Sequence, residues 1–227
     1  STLLHYLGDT NGALASHRDW LQPPFNRAPN RLFFTLVEYR QKPARQHPLA
    51  YMYQCFQEAT KAANLPCESV LAGIRARLKQ DSPTLDEASC KPWMDYMEQD
   101  LRHVLDCGLR PVLLLDDFDL IFKQLDDEET SRLRPLRWLS SFILGTESNL
   151  EEINPKAAGS PFFQTITKLR MTGLSHSEAE LLLTEPASKE GVTFPPEDVK
   201  SVIELAGTHL YLTILAGQVL WDLRSIL

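Results

Sequence analysis

Asp116 and Asp117 are an adjacent carboxylate pair that directly follows the apolar run Val112-Leu113-Leu114-Leu115. A run this apolar, with no polar alternation, reads as a strand covered on both faces, as in a parallel sheet flanked by helices. Ligands in such sheets bind beyond the carboxyl ends of the strands, which is where the pair would stand. A nucleoside-triphosphate site uses two such acids to hold magnesium and to orient a water molecule. The structural alternative is an aspartate that caps the next helix or turns the chain.

Two further positions belong with the pair. The chain opens Ser1-Thr2-Leu3-Leu4-His5-Tyr6-Leu7, which has the form of the tail of a phosphate-binding loop, a hydroxyl residue leading into an amphipathic helix. On this reading the glycine-rich loop, its lysine and the preceding strand come before Ser1. Thr146 follows Phe142-Ile143-Leu144-Gly145, at the carboxyl end of another expected strand, and is placed to sense a terminal phosphate. A threonine satisfying local backbone groups explains it equally well. In the assembled site the Ser1 hydroxyl and Asp116 would hold magnesium, directly or through water, and Asp117 would orient or deprotonate the attacking water. Ser1, Thr2 and Thr146 would line the nucleotide. Phosphoryl transfer asks for this kind of positioning and charge neutralisation.

The elements that must carry these residues can be read along the chain. Arg31 to Tyr39 is a second buried strand, rich in aromatic and branched residues. Helical periodicity runs from about Leu49 to Asn64, near Glu68 to Lys79, and from Trp93 to Cys107, where Gly108 stops the helix. An acidic start at Asp126-Asp127-Glu128-Glu129 leads into a basic amphipathic helix carrying Arg132, Arg134 and Arg137, read as a solvated face. From Leu139-Ser140-Ser141 the chain enters Phe142-Ile143 with almost no turn chemistry, which suggests residues omitted between helix and strand. Lys168 to Gly173 reads as a last short strand. Helices follow: one capped by Ser175 with Glu178 completing a capping box, one over Pro196 to Ala206, and one from about Leu210 to Leu227. Strands alternating with helices, then helices alone, predict an α/β core over 1–173 and an α-helical lid over 174–227.

Composition narrows the function classes. The 227 residues carry a formal net charge of −7, which disfavours nonspecific nucleic-acid binding by this segment. No apolar run reaches the ~20 residues of a membrane span, and the expected location is cytoplasmic. Cys55, Cys67, Cys90 and Cys107 form no CxxC pair and read as free thiols in a reducing compartment.

At this point the sequence resembles the AAA+-like ATPases, and within them the STAND signalling NTPases and relatives of origin-recognition ATPases. The likeness rests on Ser1-Thr2-Leu3-Leu4, on Leu113-Leu114-Leu115-Asp116-Asp117-Phe118-Asp119 and on Phe142-Ile143-Leu144-Gly145-Thr146-Glu147. It extends to Met171-Thr172-Gly173-Leu174-Ser175 and to Gly207-Thr208-His209-Leu210-Tyr211-Leu212. The resemblance implies a P-loop NTPase fold, ATP and Mg2+ as cofactors, and a lid that closes on nucleotide. It also implies control of self-association or of attached effector or sensor domains in a signalling or defence protein. His209 is the lid contact it implies, with a helix-capping histidine as the alternative. Leu210 stands where the family usually has proline, and no arginine finger can be assigned. A DNA-loading ATPase, or an interaction scaffold without nucleotide on the same fold, are the competing expectations.

Overall fold

The computed structural model describes residues 2–8, 31–63 and 91–225. Ser1, Cys67, Cys90 and the helix expected near 68–79 lie outside them. By contact the chain divides into two units, Ser1–Ile166 and Thr167–Leu227.

In the first unit α1 (Thr2–Gly8) precedes β1 (Leu32–Glu38), α2 (Pro48–Ala62), α3 (Lys91–Asp106) and β2 (Arg110–Asp116). There follow α4 (Phe118–Phe122), α5 (Asp127–Leu136), β3 (Ser141–Leu144) and two single turns, α6 (Leu150–Ile153) and α7 (Pro155–Ala158). The three strands form one parallel sheet in the order β1-β2-β3. Pairing runs from Leu32 opposite Arg110 to Glu38 opposite Asp116, and from Val112 opposite Ser141 to Leu115 opposite Leu144. All three strands therefore end along one edge.

The unbroken apolar run of β2 has a packing cause. Leu113 and Leu115 join Phe33 and Val37 of β1 in a core closed by Leu49, Met52 and Phe56 of α2 and Met97 and Leu101 of α3. Val112 and Leu114 point the other way and pack with Leu4 of α1. Both faces are covered, so no position on β2 needs to be polar until the strand ends. Each fully buried leucine of this kind contributes about 1.5–3 kcal/mol of transfer free energy.

Helix ends follow their chemistry. Gly108 adopts φ 78° after α3, and Gly108 N–H and Leu109 N–H donate to the carbonyls of Leu105 and Val104 at 2.8 and 3.3 Å. This is a Schellman closure that favours glycine. Asp126 and Glu129 form a capping box at α5. The junction expected to lack a loop is made by residues 137–140, with the Leu136 carbonyl accepting from Leu139 N–H, Ser140 N–H and Ser140 Oγ. Arg137, on the face read as solvated, is half-buried, with its guanidinium 4.6 Å from the Trp138 ring centre and donating to Thr165 Oγ1 at 3.0 Å.

Cys107 is disulfide-bonded, whereas Cys55 is free. The expectation of four free thiols is corrected at Cys107, since the lack of a CxxC spacing does not exclude a disulfide. Burial pushes the Cys55 thiol up to about 11.

The second unit consists of α8 (His176–Lys189), α9 (Pro196–Ala206) and α10 (Leu210–Ser225) around Ala179, Leu183, Phe194, Val199, Ile203 and Leu220. Ser175 and Glu178 form the expected capping box. The strand expected at Lys168 to Gly173 is not formed: these residues adopt no regular secondary structure, pair with no strand among the described residues, and leave Leu169 and Met171 86% and 77% exposed. Alternation alone makes a strand only where a sheet edge receives it. Among the described residues no helix is long and apolar enough to cross a membrane.

Candidate functional site

The carboxyl edge of the sheet gathers side chains from three strand ends. β1 ends in Glu38 and runs into a 3-10 turn, Tyr39–Gln41. Tyr39 is buried and packs its ring 6.3 Å from that of Phe118, and burial raises its phenol well above the ordinary range. This buried ring fixes the turn from which Arg40 projects.

β2 delivers Asp116, which is 5% exposed, and then Asp117. Asp117 adopts φ 52°, ψ 38°, a left-handed conformation that costs a non-glycine residue about 1 kcal/mol and that aspartate tolerates better than most. It stands at the N-cap position of α4, yet its side chain makes no capping hydrogen bond. Its carboxylate instead meets Arg40, with Nε 2.9 Å from Oδ2. Of the structural alternative, capping does not describe Asp117, whereas turning the chain does, since its left-handed backbone joins β2 to α4. Phe118 and Phe122 are buried, with rings 5.8 Å apart, and Phe122 meets Phe163 edge-on at 4.7 Å. The segment that carries Asp117 is anchored through these rings.

β3 brings Gly145, Thr146 and Glu147. Gly145 N–H donates to the Leu115 carbonyl at 2.8 Å, and Phe118 N–H donates to the Gly145 carbonyl at 2.9 Å. A Cβ added at Gly145 would stand 2.9 Å from Asp116 Oδ1 and 3.2 Å from Leu4 Cδ1. The absent side chain is what leaves room for the Asp116 carboxylate between α1 and β3. Thr146 is exposed, and among the described residues no side-chain hydrogen bond ties it to local backbone. Glu147 takes the other end of the Arg40 guanidinium. Flanked by Asp117 first and Glu147 second, Arg40 has its pKa raised further above its ordinary value. His5 of α1 lies 2.9 Å from Glu38 Oε1, and Gln41 donates to Glu38 Oε2 at 2.8 Å.

Asp116, Asp117 and Thr146 thus share one edge of the first unit. Ser1 lies outside the described residues, and Thr2 is placed on α1 with its side chain undescribed. His209 belongs to the second unit, where it directly precedes α10 with its imidazole exposed and its carbonyl accepting from Thr213 N–H at 2.9 Å. In that unit the two segments quoted for the lid meet: Leu174 N–H donates to the Thr208 carbonyl at 2.8 Å, and a Cβ at Gly173 would clash with that carbonyl oxygen at 2.9 Å. Gly207 between them takes φ 63°, ψ −147°, a region that glycine alone occupies without strain.

Among the described residues no three His, Cys, Asp or Glu side chains converge as a preformed metal cage. Magnesium does not require one, since it keeps several waters and takes one or two carboxylates.

Arg40 and Glu147 escaped the sequence reading. The signal that finds them is the parallel register, which sets Glu38 opposite Asp116 and so brings whatever follows β1 beside whatever follows β2. Comparison with protein-family models, with curated proteins and with solved structures gives no match.

Proposed function

We propose that this chain is the core of an ATP-binding and slowly hydrolysing switch of the P-loop, STAND-like type. In this role nucleotide state governs conformation and self-association, or the action of attached effector or sensor domains. The observation that carries the reading is Asp117. A carboxylate at the ligand-binding edge of a parallel sheet is held in a left-handed backbone conformation, makes no helix cap, and stands beside a polar loop containing Thr146. In this assignment Asp116, with the Ser1 hydroxyl, would hold magnesium, whose chemistry is to neutralise phosphate charge. Asp117 orients the water, Thr2 and Thr146 face the nucleotide, and His209 is the lid contact. Full-length protein is the sample for the test.

Nucleotide binding and hydrolysis with magnesium, comparing wild type with Asp116→Ala and Asp117→Ala, decides it. Asp117→Ala should retain ATP binding and lose turnover by about a hundredfold or more, as expected when a water-orienting group is removed. Asp116→Ala should weaken the magnesium dependence of binding. Wild-type protein that binds no nucleotide would sink the reading.

One observation favours the scaffold reading instead. Helix α10 exposes Tyr211, Leu212, Leu215, Val219 and Leu223, an apolar display suited to a protein contact. On that reading the acid pair is structural, and both aspartate variants leave function intact.

A further inference from the structure

We propose that the exposed face of α10 is a self-association surface whose occupant is a second copy of this chain. The two α10 helices cross antiparallel about a two-fold axis that sets Leu215 opposite the second copy's Val219. The inference needs neither the acid pair nor ATP, and it goes beyond the nucleotide reading above by naming where copies of the chain meet. Its failure and the failure of that reading are therefore separate results.

Three observations carry it. The first is extent. Tyr211, Leu215, Val219 and Leu223 are 67%, 50%, 53% and 61% exposed, and their spacing of four makes them one continuous ridge along α10. Leu212 and Ile214 widen the ridge on either side. Together these side chains present on the order of 600 Å² of apolar surface, the top of the range that a monomer shows and within reach of the ~800 Å² that each partner brings to a standard interface. The second is charge. Residues 210–221 contain no Asp, Glu, Lys or Arg. A groove of ≈ 210 Å³ continues the face toward α8, walled by Leu182, Pro186, Phe194, Ile214 and Trp221, and it adds no charge either. An acidic or basic partner would find no counter-charge here and would desolvate its own charges at a cost. A second copy brings a surface of the same length that is equally free of charge. The third is shape. A row of side chains four apart packs into the grooves beside a like row on another helix, so the ridge is complementary to itself, as an isologous two-fold contact requires. An antiparallel crossing opposes the helix dipoles and keeps the two Asp222 carboxylates, each just beyond the charge-free stretch, at opposite ends of the contact. The midpoint of 211–223 then lies on the axis, which puts Leu215 opposite the second copy's Val219.

The experiment is sedimentation equilibrium of the full-length protein without nucleotide over about 1–200 µM, the weak end of the range for interfaces of this size. Wild type should form a dimer within it. Leu215→Glu and Val219→Lys should each weaken that dimer about thirtyfold or more, the loss expected at the centre of an interface. Mixed together, the two chains should dimerise again, because the antiparallel register sets the introduced acid against the introduced base. Leu205→Glu, at an exposed leucine of α9 outside this face, should leave the dimer unchanged. Circular dichroism establishes that each variant is folded. Should either central variant fail to fold, Tyr211→Glu and Leu223→Lys, at the more exposed ends of the ridge, are compared and mixed in their place. Wild type that stays monomeric, a dimer indifferent to Leu215→Glu, or one lost equally with Leu205→Glu would overturn the proposal. So would folded variants whose mixture remains monomeric, a result that leaves the face to a different partner.

Discussion

Gly145 shows how one absent methyl group shapes the candidate site. Its backbone is not among the positive-φ positions, which among the described residues are Asp117, Gly108, Gly191 and Gly207. What requires glycine at 145 is proximity: a Cβ would meet the Asp116 carboxylate at 2.9 Å and Leu4 at 3.2 Å. The Leu4 end can yield a little, whereas Asp116 is buried at a strand terminus and meets the added Cβ first. Gly145→Ala should therefore cost about 1–3 kcal/mol of stability, the range for overpacking a close-packed site, and should weaken magnesium-dependent nucleotide binding by moving Asp116. Denaturant unfolding with a parallel magnesium titration checks both effects. Unchanged stability and unchanged binding together would mean that the approach of Gly145 to Asp116 has no consequence.

At the scale of elements, the second unit depends on how its first helix begins. Ser175 Oγ accepts from Glu178 N–H at 3.2 Å, and Ser175 N–H donates to Glu178 Oε2 at 2.7 Å. These bonds hold the Glu178 carboxyl below its ordinary range, the backbone bond to Ser175 being the first cause. A carboxylate whose folded pKa is depressed adds stability at any pH above its unfolded value and loses it as pH falls through the folded value. Helix α8 should accordingly begin to fray only in acid, below the ordinary carboxylate range, and Glu178→Gln should remove that dependence. Ser175→Ala should cost about 1 kcal/mol at neutral pH. Amide exchange over residues 176–180, measured against pH, checks all three. This cap was legible because S-x-x-E before an apolar run is a local signal, and β2 was legible because four consecutive apolar residues need cover on both faces. The Arg40 clamp was not, since residues 40, 117 and 147 become neighbours only through strand order. The failed strand at 168–173 has the same cause in reverse, a period-two pattern that no described strand receives.

Over the whole molecule, charge separates the switch from the DNA-loading alternative. The net charge of −7 is an average, and a basic stripe could still serve a phosphate backbone if its cations were unengaged. Among the described residues many are engaged. Arg102 pairs with Glu98 at 2.6 Å, Arg132 with Glu128 at 2.5 Å and Lys189 with Glu185 at 2.9 Å. Arg224 Nε reaches Asp198 at 3.0 Å, and Arg137 is spent on Trp138 and Thr165. These exposed pairs are weak and would yield readily, so what disfavours a duplex is the surplus of acids, which repels its phosphates. This 227-residue chain should therefore leave the fluorescence anisotropy of a labelled DNA duplex unchanged even at about 0.05 M salt, where cation–phosphate contacts are strongest. Saturable binding whose logarithm falls linearly with the logarithm of salt concentration would instead count several released counterions, and would move the assignment from a signalling switch to an ATPase that acts on DNA.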